Sequence, residues 1–219
     1  MSDSDVWVRP DDLQIIVAPL ADPKVRGVCT LFKVTQAQRW FEQLEWLTIN
    51  AAFIPNVIFA HLTGTSQCCL RPSIALRRST LQGVGGLESQ ADFLLEDYEL
   101  GRRIWTSGKH LAILPYFVVV AVDLQSLRQW WDHQCYWEQN PWAARPWGFF
   151  ATVITRTVPF ALLFAVIRLG DAVELTVLGV VVALRLATIG RLLQWGLLDR
   201  DGVRSLILLP LRDLLGLVS

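Results

Sequence analysis

The last third of the chain constrains the fold most. Phe149–Ile167 is interrupted by one charge, Arg156, and Ala172–Gly190 only by Glu174 and Arg185. Each run approaches the roughly 17–25 apolar residues that a tilted membrane helix needs, and Gly170-Asp171 between them reads as a turn. The pattern predicts a hairpin of two membrane helices whose few charges snorkel from near the ends. A soluble helical subdomain is the competing reading of 149–219. Arg191, Arg200 and Arg204 follow on the returning side, which the positive-inside rule assigns to the cytoplasm. Ser205–Leu217, broken by Pro210, Arg212 and Asp213, is too short to span and reads as re-entrant or interfacial.

Aromatic residues crowd the approach to this region. Five of the ten tryptophans fall between positions 130 and 147, with Trp130-Trp131 and Tyr136-Trp137 on an amphipathic stretch from Leu124 to Trp137. Indole rings settle at headgroup depth, so residues 124–148 read as an interfacial helix, with a tryptophan-rich core corner as the alternative. Twenty basic and twenty acidic side chains cancel, and without a net field nucleic acid is excluded as a general partner. Cys29, Cys68, Cys69 and Cys135 show no metal-type spacing, which fits a reducing, cytosol-facing location better than a disulfide framework. Met1–Asp12 is acidic and carries no apolar signal-peptide core.

Residues 1–123 alternate strand and helix patterns, an α/β layer structure. Arg9-Pro10-Asp11-Asp12 starts a short helix that runs to about Ala18. Val25–Val34 and Ser73–Arg78 read as strands, and Leu111–Val122 as a buried strand despite Pro115. Gln36–Leu62 reads as a long helical stretch with Trp40, Leu44, Leu47 and Ala51 on one face and a break at Pro55. Leu94-Leu95-Glu96-Asp97 opens another helix, with Leu94, Tyr98 and Trp105 on its apolar face and Gly108 just past its end.

Three clusters could carry chemistry. Asp3-Ser4-Asp5 is a D-x-D, whose paired carboxylates can hold a hard divalent cation that bridges phosphates; terminal acids are also often only solvated. Glu96-Asp97 could supply a general base beside an acceptor hydroxyl, or could simply complement the helix dipole. His133-Gln134-Cys135-Tyr136-Trp137 could line a pocket at the membrane surface, or form one face of an interfacial helix. His133 and Cys135 complete no triad, and neither a Gly-x-Ser-x-Gly elbow nor a phosphate-cradling glycine loop is present.

The order of these pieces is more specific than any one of them. A D-x-D is followed by Ala75-Leu76-Arg77-Arg78, Gly85-Gly86-Leu87, Glu96-Asp97-Tyr98 with Leu100-Gly101, an aromatic helix and a membrane tail containing Leu209-Pro210-Leu211-Arg212-Asp213. Val17–Val25, Ile49-Asn50 and Phe53-Ile54-Pro55 add to the likeness. Together they resemble the ceramide glucosyltransferase family over nearly the whole chain, most closely its bacterial branch with the hopanoid-linked lipid glycosyltransferases.

The resemblance implies the C-terminal part of a GT-A glycosyltransferase domain (1–123), the aromatic helix (124–148) and a membrane-associated helical region (149–219). It implies an inverting transfer from a UDP-sugar, with glucose as the expected sugar, to a membrane lipid such as ceramide on the cytosolic face. Asp3 and Asp5 would hold Mg²⁺ or Mn²⁺, Asp97 would be the base, and Glu96, His133, Tyr136 and Trp137 would contact donor or acceptor. Two sequence departures accompany the likeness. Tyr136 stands where the family's aromatic-helix motif has arginine, and Arg71-Pro72 replaces a glycine and a small residue. The family also places a nucleotide-binding half before its D-x-D, so the expectation is a shortened enzyme that needs a separate polypeptide or an upstream start for that half. A catalytically inactive membrane-anchored remnant or partner subunit is the alternative.

Overall fold

The computed structural model describes residues 1–64, 69–70, 72–90, 92–93, 95–144, 146–154, 156–199 and 201–218. Cys68, Arg71, Leu94 and Arg200, named above, lie outside the described residues. In chain order the elements are β1 (Val6–Trp7), α1 (Asp12–Val17), β2 (Val25–Val34), α2 (Trp40–Thr48), α3 (Ile54–Leu62), β3 (Ile74–Leu76), α4 (Arg78–Gly83) and α5 (Glu96–Thr106). They continue with β4 (His110–Val120), α6 (Leu127–Ala144), α7 (Pro146–Ile154), α8 (Thr157–Ile167), α9 (Ala172–Arg191) and α10 (Leu209–Val218). The chain is mixed α/β, mostly helical, and divides into two compact units: Met1–Val34 with Phe53–Ala121, and Thr35–Ala52 with Val122–Ser219.

The first unit is built on a sheet of order β1-β4-β2-β3, with β2 and β4 parallel and both outer strands antiparallel. β2 is buried from Gly27 to Phe32, on both faces, the condition of a parallel-paired strand and the reason that stretch carries no charged side chain. Pro115 falls inside β4, where proline lacks a donor. The ladder accommodates it by a shift: Thr30 pairs with Leu114 and Leu31 with Phe117, so Pro115 and Tyr116 bulge out of register. α5 covers the sheet with Leu100 and Ile104, one turn apart, packed against Cys29, Leu31, Cys69, Leu70, Ile74 and Val84. This corrects the expected apolar face. Trp105 is exposed and Tyr98 only half-buried, because Leu100 and Ile104 carry the sheet-facing stripe instead.

Pro55 acts as expected. It sits in the first turn of α3, where its missing N–H costs nothing, and residues Ile49–Phe53 before it widen into a π-helical turn.

The second unit is helical. Leu44, Leu124 and Trp130 form a core with Phe41, Val122, Trp131, Leu208 and Leu215. Trp46 is buried, donates from Nε1 to Asp199 Oδ2 at 3.1 Å, and lies directly over Gly202, where any Cβ would come within 2.0 Å of the indole.

The first expected membrane arm is not continuous. Arg156 leaves helical geometry (φ −77°, ψ 77°) and pairs with Glu138 at 2.6 Å, so α7 and the short α8 replace one long helix. Among the described residues one helical stretch, Ala172–Gly196, is long and apolar enough to cross a membrane. Two of its charges are paired within the protein. Glu174 is buried and meets Arg168 at 3.2 Å, and Arg185 is held by Asp213 at 3.0 Å. The tryptophan cluster also divides: Trp130 is 1% exposed and belongs to the core, whereas Trp147 is 85% exposed beside Phe150.

Candidate active site

In the first unit the D-x-D is the turn between two strand pairings. Ser2 bridges Ser73, and Asp3 N–H donates to the Pro72 carbonyl. Beyond it Val6-Trp7 pairs with Val119-Val120, and the Asp5 carbonyl accepts from Ala121 N–H at 3.0 Å. Asp5 thereby stands at the carboxyl end of β4, the end of a parallel strand where α/β sheets bind ligands. Among the described residues no group of three or more His, Cys, Asp or Glu side chains gathers to hold a metal ion. Two carboxylates suit a cation such as Mg²⁺, which keeps waters and takes its other ligands from substrate phosphates.

Glu96 and Asp97 are the first two residues of α5, both half-buried. The residue before them, Leu95, offers no side-chain cap, and Asp97 Oδ1 instead accepts from Tyr98 N–H at 2.7 Å. In the same first turn, Glu99 is buried and forms a tight cluster. Its oxygens accept from Arg102 Nε and Nη2 at 2.7 and 2.8 Å and from Arg103 Nε at 2.7 Å. These two guanidinium groups, with Arg102 first, outweigh burial and hold the Glu99 carboxyl down at about 2. Arg103 then reaches Ser89 Oγ at 2.9 Å and the Val84 carbonyl at 3.3 Å, and its guanidinium lies 5.3 Å from the Phe93 ring centroid. The Gly85-Gly86 turn is fixed from both sides: Gly85 has φ +101°, and a Cβ there would meet Ser89 at 2.8 Å. The start of α5, which carries Glu96 and Asp97, is therefore anchored to the loop before it. Arg77, from Ala-Leu-Arg-Arg, donates to the Leu20 carbonyl, so this arginine ties β3 to residues 18–21.

In the second unit His133, Tyr136 and Trp137 share α6. Tyr136 is exposed, and His133 and Trp137 are joined by an Nε1–H···Nε2 hydrogen bond of 2.7 Å. His133 Nδ1 lies 3.1 Å from Glu45 of α2. The adjacent Glu45 carboxylate, opposed by burial, raises the imidazole above its ordinary 6.5. Glu99, Arg103 and Glu45 were not singled out from the sequence. Glu99 with Arg102 and Arg103 has the i, i+3 and i, i+4 spacing that makes helix ion pairs, a legible signal. Glu45 and His133 are distant in sequence and gave none.

The first unit thus carries an acidic helix start on an α/β sheet, and the helical unit carries an aromatic helix and a span-length apolar helix. A model of glycosyl transferase family 21 matches residues 1–219, the entire chain. The chain belongs to this family, the ceramide glucosyltransferase family, and so to the glycosyltransferases. No curated protein matches it.

Proposed function

We propose that this chain is a membrane-bound GT-A transferase that moves a hexose from a UDP-sugar to the hydroxyl of a ceramide-type lipid with inversion, as in the bacterial branch of the family. Asp97 is the base. It takes the acceptor O–H proton as the oxygen attacks the anomeric carbon and the bond to the diphosphate breaks, releasing UDP. Asp3 and Asp5 would hold a divalent cation, which would supply positive charge for the leaving diphosphate. Glu96, His133, Tyr136 and Trp137 line donor or acceptor. Ala172–Gly196 anchors the chain, with Arg191 and Arg204 on the cytosolic side.

The observation that carries this reading is Asp97 itself: a carboxylate at the first turn of a helix anchored through Glu99, in a chain that the family model matches over residues 1–219. The test is transfer from labelled UDP-glucose to ceramide by the detergent-solubilised chain with Mg²⁺ or Mn²⁺. Asp97→Asn should lower kcat by about 10²–10⁴, the usual contribution of general base catalysis, and leave UDP affinity unchanged. A variant that retains wild-type turnover would remove Asp97 from the mechanism.

Tyr136 favours a second reading, a non-catalytic membrane subunit, because a phenol can hydrogen-bond a phosphate without supplying positive charge. UDP binding by the purified chain would count against it.

A further inference from the structure

The second unit contains a connected run of buried polar side chains that glycosyl transfer does not call for. Glu45 of α2 accepts from Gln134 Nε2 at 2.7 Å. Gln134 Oε1 accepts from Thr48 Oγ1 at 3.0 Å, and Thr48 accepts in turn from Arg212 Nε at 3.2 Å. Arg212 meets Asp213, and Asp213 meets Arg185. At the other end of the run stands His133, between Glu45 and Trp137.

The two sides of this imidazole make different demands. An indole nitrogen is only a donor, so the 2.7 Å contact from Trp137 requires an unprotonated Nε2. The single proton of the neutral ring must then sit on Nδ1, which faces Glu45 Oε1 at 3.1 Å. That approach is close but not aligned as a straight hydrogen bond, and the negative charge of the carboxylate favours a proton on the nitrogen that faces it. A second proton would have to enter at Nε2, where it meets the Trp137 N–H donor-to-donor.

Other charges near the imidazole are already committed. Glu42 of α2 is turned to the N–H groups of Gln38 and Arg39, and Glu138 of α6 pairs with Arg156. Asp132 of α6 is exposed beside Arg128, α7 carries no titratable side chain, and Arg212 of α10 reaches the run through Thr48.

We propose that Glu45 is a positioning residue that holds His133 as its Nδ1–H tautomer, so that His133 fixes the Trp137 indole, and that protonation at Nε2 releases it. The orientation of the aromatic face of α6 then depends on one proton. The device bears on lipid or donor binding only through the function proposed above, but its test does not use transfer activity.

The full chain in detergent micelles, labelled with ¹⁵N at tryptophan indoles and histidine rings, is titrated by NMR, with Trp137→Phe and His133→Met identifying the resonances. The expected result is a Trp137 indole signal that moves together with His133, with a midpoint above 6.5. Glu45→Gln, nearly isosteric and still able to accept from Gln134, should lower that midpoint by about one pH unit or more, the effect of removing an opposite charge at contact distance. A Trp137 signal that stays fixed while His133 titrates would overturn the proposal, as would an unchanged midpoint in Glu45→Gln. Should that variant fail to fold, co-titration in the unmodified chain still decides.

Discussion

Replacing Glu99 by glutamine removes the charge that binds Arg102 and Arg103 while preserving shape. Holding a carboxyl at about 2 against an ordinary 4.5 corresponds to at most about 3 kcal/mol at 1.36 kcal/mol per pH unit. Arg102 is about half exposed, and solvent screens its part, so the expected cost at pH 7 is about 1–2 kcal/mol. The pH dependence follows from the direction of the shift. The folded value lies below the ordinary one, so the stabilisation is complete above about 4.5 and is lost as pH falls toward about 2. Urea unfolding in detergent, followed by circular dichroism between pH 7 and pH 2, should show a gap between the parent and Glu99→Gln that closes at the acid end. A gap of constant size would mean that glutamine harms packing and that the ion cluster contributes little.

The apolar helix gives a test of membrane insertion. Leu184, near the middle of Ala172–Gly196, is 63% exposed, so Leu184→Arg would be almost neutral in water but costs about 2.5–3.5 kcal/mol at the centre of a bilayer. Loss of the chain from carbonate-washed membranes is expected; undiminished retention would argue against a span. Gly202→Ala should destabilise the second unit by about 1–3 kcal/mol through overpacking, since the added methyl strikes Trp46, and thermal unfolding reads this directly. With the Asp97→Asn turnover and the Glu45→Gln titration, these outcomes address the base, the anchor and the core separately.

How far the chain could be read in advance depended on the range of the forces involved. β2 follows from the uncharged Gly27–Phe32 stretch at the centre of Val25–Val34, and the break before α3 from the backbone chemistry of Pro55. The acidic start of α5 is local too, because helix dipoles and i, i+4 pairs act within one turn. Periodicity misjudged which face of α5 turns inward, because Leu100 and Ile104 were selected by the sheet. It also joined Phe149 to Ile167, where Arg156 breaks the helix and pairs with Glu138.

By itself the sequence determined the strand and helix types, the ordered motifs from Asp3 to Asp213 and the apolar helix at Ala172–Gly190, all carried by neighbouring residues. Tertiary structure alone decided that Arg185 meets Asp213, that Trp130 is core while Trp147 is surface, and that Glu45 stands beside His133. Those choices rest on contacts between residues far apart in the chain. The cost of burying a charge is settled only when its partner arrives.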